Sequence, residues 1–156
     1  GAFDAVTAAT CWHWFDAGAA AAEAFRLLRP GGRLAIATLD WLPLPGSVVA
    51  ATEELIRAFG SPNAPGDAAD FPRNWTSPVR MARFRDVAFF GFDVDLGYSH
   101  EAWRGRIRAS AGVGASLAEE AVARFDAAHA ELLARRFPED PLAVPHRVFC
   151  QVATRP

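Results

Sequence analysis

The sequence predicts an α/β domain organised around a parallel pair of strands. A short apolar run at residues 3–9 and a second at 33–39 flank a helix-forming stretch, with Pro30-Gly31-Gly32 between helix and second run. Strand, helix and strand at this spacing make a right-handed crossover. Further along, residues 90–98 and 147–154 show the period of two that marks strands with one wet face.

Each element has a local reason. Val6 and Thr7 centre the first run, which reads as a parallel strand buried on both faces. Asp16 is placed to cap the following helix, with Ala19, Ala22, Phe25 and Leu28 as its inward stripe. Pro30-Gly31-Gly32 stops that helix and turns the chain into the second strand. This is a turn and not a phosphate cradle, because a strand and not a helix follows it. Asp40–Gly46 reads as loop. Ser47 caps a second helix carrying Val48, Val49, Leu55, Ile56 and Phe59, which Gly60-Ser61-Pro62 ends.

From Gly60 to Pro78 the chain is rich in Pro, Gly, Asn and Asp, and Phe71 and Trp75 within it favour a packed lid. Ser77-Pro78 is placed to start a short helix through Asp86. In the strand that follows, Phe92, Val94, Leu96 and Tyr98 alternate with Asp93, Asp95 and Gly97. Ser99 caps a helix with Trp103 and Ile107 inward. Ser116-Leu117-Ala118-Glu119 has the form of a capping box opening the clearest helix. The stripe of that helix is Leu117, Ala121, Phe125, Ala128 and Leu132, its exposed pairs are Glu120–Arg124 and Glu131–Arg135, and Phe137-Pro138 closes it. The last strand sets Val148, Cys150 and Val152 on one face. No internal repeat or domain boundary is visible.

Composition narrows the function classes. The 156 residues are 51 % hydrophobic and 22 % charged, which suits one globular unit. A net charge of −2 provides no basic field for nucleic acid or anionic lipid. All 16 basic residues are arginine, beside heavy alanine usage, a pattern of coding bias more than of function. No apolar run reaches the roughly twenty residues of a membrane span. Cys11 and Cys150 read as two reduced thiols, so a cytoplasmic protein is expected. His100, His129 and His146 have no ligand spacing with each other or with the cysteines, so no metal site is expected.

One constellation carries a family likeness. Phe3-Asp4-Ala5-Val6, then His13-Trp14-Phe15-Asp16, then Glu23, Arg26, Leu28 and Pro30-Gly31-Gly32 with Leu34 resemble class I S-adenosylmethionine-dependent methyltransferases. The nearest branch is the small-molecule one (methyltransferase type 11), related to trans-aconitate and other carboxyl methyltransferases. The likeness is densest in the first quarter of the chain and looser through "YSHEAWRGRIRASAGV" and "VPHRVFCQVATR".

The resemblance implies strands 4, 5, 6 and 7 of a Rossmann-like sheet ordered 3-2-1-4-5-7-6, the last strand antiparallel. Residues 1–156 are then expected to be a partial catalytic domain whose first strands, glycine-rich loop and ribose-binding acid lie upstream of Gly1. Such a piece is expected to bind cofactor weakly alone, to be inactive, and to leave its first strand as an exposed apolar edge through which it associates. The resemblance further implies S-adenosylmethionine at the strands' carboxyl ends, against Ala9, Thr10, His13 and Trp14. It implies a small-molecule acceptor, a carboxylate in this branch, near Trp41, Tyr98, Trp103 and Arg106. His13 is the candidate catalytic residue, with cofactor-pocket wall, structural hydrogen-bonder and general base as its readings. A non-catalytic interaction module and a piece of a nicotinamide-dependent oxidoreductase are the alternative readings. The methyl acceptor, the use of a base and the oligomeric state are not legible in these residues.

Overall fold

The computed structural model describes residues 1–61 and 73–156, and the side chains of all of these but residues 73 and 74. In chain order the elements are β1 (Phe3–Ala9), a one-turn 3-10 helix (Trp12–Trp14), α1 (Ala17–Leu27), β2 (Leu28–Trp41), α2 (Val48–Ala58) and α3 (Arg73–Met81). After these come β3 (Arg85–Tyr98), α4 (His100–Arg108), α5 (Glu119–Arg136) and β4 (Leu142–Thr154). The sheet order is β1-β2-β4-β3. β1 and β2 pair in parallel, with Val6 opposite Leu34 and Ala8 opposite Ile36, and the remaining pairs are antiparallel.

The described residues fall into two compact units. One holds Gly1–Asp40, the described part of 68–93, and Arg147–Pro156; the other holds the described part of 41–67 and Val94–His146. Three of its boundaries fall inside β2, β3 and β4, where no linker marks them in the sequence, and the fourth, at 67/68, lies outside the described residues.

In the first unit α1 packs on α3 and on β1. The core joins Ala8, Trp12, Ala21, Ala24, Leu28, Leu34, Ile36, Trp75, Val79, Phe84 and Ala153. Three comparisons with the sequence reading arise here. β1 is the exposed apolar edge expected of this strand within residues 1–156: it ends the sheet, with β2 as its one described neighbour, and Phe3 is 53 % accessible. The inward stripe of α1 is Ala21 and Ala24, flanked by Ala17, Ala20 and Phe25, while Ala19 and Ala22 face solvent.

Third, Pro30-Gly31-Gly32 does not separate helix from strand. α1 ends at Leu27 and β2 begins at Leu28, running through the Pro-Gly-Gly segment. Gly31, at φ +80°, absorbs the register shift between Phe3–Leu28 and Ala5–Arg33, a backbone state that favours glycine. Arg155 ties this corner down. Its Nη1 donates to the carbonyls of Phe25 (2.8 Å) and Leu28 at the end of α1, and its guanidinium lies 4.7 Å over the Phe25 ring.

The Asp16 cap is present: its carboxylate accepts from the Ala19 N–H at 2.9 Å. Asp16→Ala should cost about 1 kcal/mol in urea unfolding. A change below a few tenths would mean that helix packing alone sets the start of α1.

The second unit packs α5 against α2 and α4 around Val48, Val49, Ile56, Trp103, Ile107, Val113, Phe125, Leu133, Leu142 and Val144. Ser47 and Ser99 cap as expected, accepting from Ala50 (3.2 Å) and Ala102 (3.1 Å). The Ser116 capping box does not form. The Ser116 hydroxyl donates to the Ala111 carbonyl at 2.5 Å instead, and α5 starts after Ala118 with no side-chain cap. Its buried positions are Phe125, His129 and Leu133, with Leu117, Val122 and Leu132 partly covered.

The strands also outrun their expected limits. β3 begins at Arg85 and β4 at Leu142, because sheet pairing carries them past the clear alternation. Pro78 lies inside α3 and does not open a helix, so helix replaces the expected loop from Arg73. The remainder of the expected lid, with Phe71, lies outside the described residues; Trp75 is buried.

Candidate functional site

The first candidate group lies at the carboxyl end of β1. Ala9 is its last residue, and Thr10 turns the chain in the left-handed region (φ 53°) while its N–H bonds the Ala37 carbonyl of β2 at 2.8 Å. That bond holds the loop against the neighbouring strand. The 3-10 turn then buries Trp12 and leaves His13 and Trp14 outward. Trp12 packs its edge on Phe15, with centroids 6.1 Å apart. The His13 and Trp14 rings lie 4.8 Å apart at 45°, and Trp14 is 76 % exposed.

The structure therefore brings Ala9, Thr10, His13 and Trp14 onto one loop, with two accessible ring faces. Trp12, in the same loop at the strand's end, is buried and does not present a ring face with His13 and Trp14. Its indole Nε1 is buried and has no partner among the described residues. A buried N–H left unpaired is costly, so it calls for an acceptor from outside these groups.

The second group lies in the other unit. Trp41, Tyr98, Trp103 and Arg106 are gathered there, Trp103 at the centre. Its ring meets Trp41 edge-on at 5.6 Å and Tyr98 at 5.5 Å. Trp103 is fully buried, and its Nε1 donates to Thr52 Oγ1 at 3.1 Å. Trp41 and Tyr98 are half-buried, and Arg106 is exposed with its guanidinium 5.3 Å over the Trp41 ring. The accessible part of this group is thus Trp41, Tyr98 and Arg106, with Trp103 as their support.

The three arginines of α4 have different fates. Arg104 and Arg108 are both held by Asp126 and Glu101: Arg104 Nε meets Asp126 Oδ1 at 3.1 Å, and Arg108 meets Asp126 at 2.6 Å and Glu101 at 2.8 Å. Burial pushes the Asp126 carboxyl up, but hydrogen bonds and charge from the two guanidiniums outweigh it and hold it below the usual range. The Arg108 hydrogen bond does the same for Glu101. Arg106 has no carboxylate partner among the described residues.

Glu53 is nearly buried beneath this cluster. It accepts from Trp41 Nε1 at 3.0 Å and faces Arg57 at 3.6 Å. Burial pushes its carboxyl above the ordinary value, opposed by the bond from Trp41 and by Arg57. Sequence reading passed over Glu53 because it sits among apolar neighbours on α2. Its spacing from Val49 and Ile56 nevertheless places it on the inward face.

The histidines are structural in their contacts. His100 Nε2 donates to the carbonyls of Phe137 (2.9 Å) and Glu139 (3.0 Å), fastening the end of α5. His129 Nε2 lies 3.1 Å from Thr52 Oγ1, whose own proton goes to the Val48 carbonyl at 2.7 Å. The histidine is therefore the donor in that pair. Burial lowers its pKa to about 4. His146 stacks on Tyr98 at 5.9 Å and hydrogen-bonds the Val144 carbonyl through Nδ1. Among the described residues no three His, Cys, Asp or Glu side chains are placed to hold a metal ion. Both cysteines are free thiols, and no described helix is long and apolar enough to cross a membrane.

Residues 1–36 match a family model described as a methyltransferase domain. They span β1, the Thr10–Trp14 loop, α1 and the first part of β2. No curated protein sequence matches the chain. Among solved structures, a putative type II methyltransferase from Anaeromyxobacter dehalogenans aligns with a TM-score of 0.59 at 22 % identity, over 99 % of this chain and 65 % of that one. A putative methyltransferase from Bacillus halodurans C-125 aligns over the same shares at 16 % identity, with a TM-score of 0.45. Phosphoethanolamine N-methyltransferase 2 from Haemonchus contortus, solved with S-adenosyl-L-methionine, aligns at 16 % identity and a TM-score of 0.40, over 99 % of this chain and 33 % of that one.

The chain thus spans 65 % of the length of the two putative methyltransferases. Its fold is that of the methyltransferase Rossmann-like sheet. The order β1-β2-β4-β3, with the last strand antiparallel between its neighbours, is the one expected for strands 4, 5, 7 and 6.

Proposed function

We propose that the protein carrying this chain transfers a methyl group from S-adenosylmethionine to a small-molecule acceptor, with residues 1–156 as part of its catalytic domain. The observation that carries the reading is the coincidence of the methyltransferase match at residues 1–36 with the loop after β1. Open α/β sheets bind ligands at the carboxyl ends of their strands, and this loop stands at such an end.

The residues present fit one side of an adenosyl cofactor. Ala9 and Thr10 supply backbone pinned to β2, His13 and Trp14 supply exposed ring faces, and Trp12 Nε1 is a buried donor without a described partner. Aromatic faces attract a sulfonium as they do other cations. When bound, S-adenosylmethionine supplies an activated methyl, so the protein's main task is to align an acceptor nucleophile at close range.

The acceptor reading rests on Arg106. Arg104 and Arg108 are committed to Asp126 and Glu101, whereas the Arg106 guanidinium is accessible over Trp41 and free for a forked bond to a carboxylate. Trp41 and Tyr98 provide the flanking apolar surface, and Trp103 fixes them from behind. A carboxylate is already ionised near neutral pH and needs no base. His13 then acts as pocket wall.

The test is kinetic, on the full-length protein that carries this chain, with labelled S-adenosylmethionine and a panel of carboxylate, phenol and amine acceptors. His13→Ala should weaken cofactor binding with modest loss of turnover at saturation. A fall in turnover of roughly 10²–10⁴-fold, with loss of an acidic limb present in the wild-type pH–rate profile, would make His13 the general base. Absence of turnover with every acceptor, together with absence of cofactor binding, would overturn the methyltransferase reading itself.

A further inference from the structure

Glu53 places a carboxylate at a position of α2 where packing calls for hydrocarbon. Val49 and Ile56, on the same helix face, are fully buried in the core of the second unit, and Glu53 itself is 6 % exposed. A buried carboxylate is costly unless it is paired and hydrogen-bonded. Arg57 faces it at 3.6 Å with half of its own side chain in solvent, well beyond the ~2.7–2.9 Å of a charge-assisted bond. The close contact is Trp41, whose Nε1 donates to Glu53 Oε1 at 3.0 Å. Burial opposes the charge on Glu53, while the Trp41 bond and Arg57 support it.

The face of the same indole carries Arg106. Its guanidinium lies 5.3 Å from the ring centroid, it is exposed, and it has no carboxylate partner among the described residues. A long exposed side chain without a partner samples many rotamers, so the indole is what keeps this fork in one place. Trp41 is in turn held at two points, by Glu53 at its N–H and by the edge contact with Trp103 at 5.6 Å. The bond to Glu53 fixes the rotation of the ring. A negative charge on its acceptor also polarises the indole, which makes the face under Arg106 more attractive to a cation. All three side chains belong to the second unit, on β2, α2 and α4.

We infer, on the acceptor reading proposed above, that Glu53 is a positioning residue for the methyl acceptor: through Trp41 it fixes Arg106 as the docking cation and makes the site selective for a carboxylate over an uncharged acceptor. Glu53 does not touch the acceptor. Its effect runs through one hydrogen bond and one ring face.

Benzoate, a carboxylate on a flat apolar body, and benzamide, its uncharged counterpart, probe the site in the full-length protein that carries this chain. In the wild type the Arg106 Nε–H resonance, assigned by its loss in Arg106→Lys, should be displaced by the ring current of Trp41. Benzoate should shift it further and benzamide should not. Glu53→Gln keeps an acceptor for the indole N–H and removes only the charge. It should move the free Arg106 resonance toward its random-coil position and weaken benzoate about threefold or more, with cofactor binding unchanged. Arg106→Gln should weaken benzoate by ~10-fold or more, and Glu53→Gln in that background should change nothing further. For a carboxylate of the acceptor panel that turns over, Glu53→Gln should raise the acceptor KM by the same factor and leave kcat near wild type.

Benzoate affinity in Glu53→Gln equal to that of the wild type, or tighter, with Arg106→Gln still weakening it, would overturn the role of Glu53 and leave the acceptor reading standing. So would a random-coil Arg106 resonance in the wild type that benzoate nevertheless shifts. Benzoate binding indifferent to Arg106→Gln, or absent from the wild type, would overturn both.

Discussion

Replacing Trp103 with alanine is expected to destabilise the protein by about 3–5 kcal/mol, the range for a fully buried tryptophan. The side chain has no accessible surface and supports Trp41 and Tyr98 by edge contacts. Its indole N–H is also the donor to Thr52. Truncation removes the largest fully buried side chain, opens a cavity among Val48, Ile107 and Phe125, and leaves a buried hydroxyl short of a donor. Trp103→Phe keeps most of the packing and loses the hydrogen bond, and should cost clearly less. Urea unfolding monitored by far-UV circular dichroism reads both. A Trp103→Ala loss below ~1 kcal/mol would mean that the site collapses freely around the deletion. If acceptor binding depends on Trp41 and Tyr98 as proposed, Trp103→Phe should raise the acceptor KM while leaving cofactor binding unchanged.

Acid should destabilise the same unit through His129. Its folded pKa is lowered to about 4 by burial, against an ordinary value of 6.5. Asp126 nearby opposes the shift, while Arg104, Arg108 and His100 add to it. Between those two values the unfolded chain binds a proton that the folded chain refuses. The stabilisation is therefore complete above pH 6.5 and is lost progressively as pH falls toward 4, by about 3 kcal/mol.

Glu53 works in the opposite sense, since its raised pKa favours the folded state as pH drops. The exposed pairs Glu23–Arg26 and Asp93–Arg147 hold their carboxyls below the usual range, so their loss comes only at lower pH. His129→Gln retains a donor toward Thr52 and cannot titrate. Wild-type stability should fall between pH 6.5 and 4.5, and the variant should be nearly flat there. Equal slopes for the two proteins would remove His129 as the cause.

Local chemistry was legible in the amino-acid sequence at three helix starts, where the stabilising oxygen lies within a turn of its target. Asp16, Ser47 and Ser99 read as helix caps and are caps, because each oxygen needs only the N–H three residues on. The parallel pairing of residues 3–9 with 33–39 was equally readable, since a short helix between two apolar runs leaves one favourable crossover. The loop after β1 followed from that crossover, and with it the grouping of Ala9, Thr10, His13 and Trp14.

What the tertiary structure alone decided is which face of each element is covered and which distant groups meet. Ser116 had the pattern of a capping box, yet a carbonyl five residues back competes for its hydroxyl. The apolar run of β1 suits burial on both faces by itself, and only its place at the end of the sheet exposes it, because burial depends on neighbours outside its own seven residues. Thr52 joins Trp103 and His129 across 51 and 77 residues of sequence, separations at which no periodicity carries information. The fates of Arg104, Arg106 and Arg108 separate for the same reason. They are alike in sequence, but Asp126 on another helix stands within reach of two of them and leaves the third on the face of an indole.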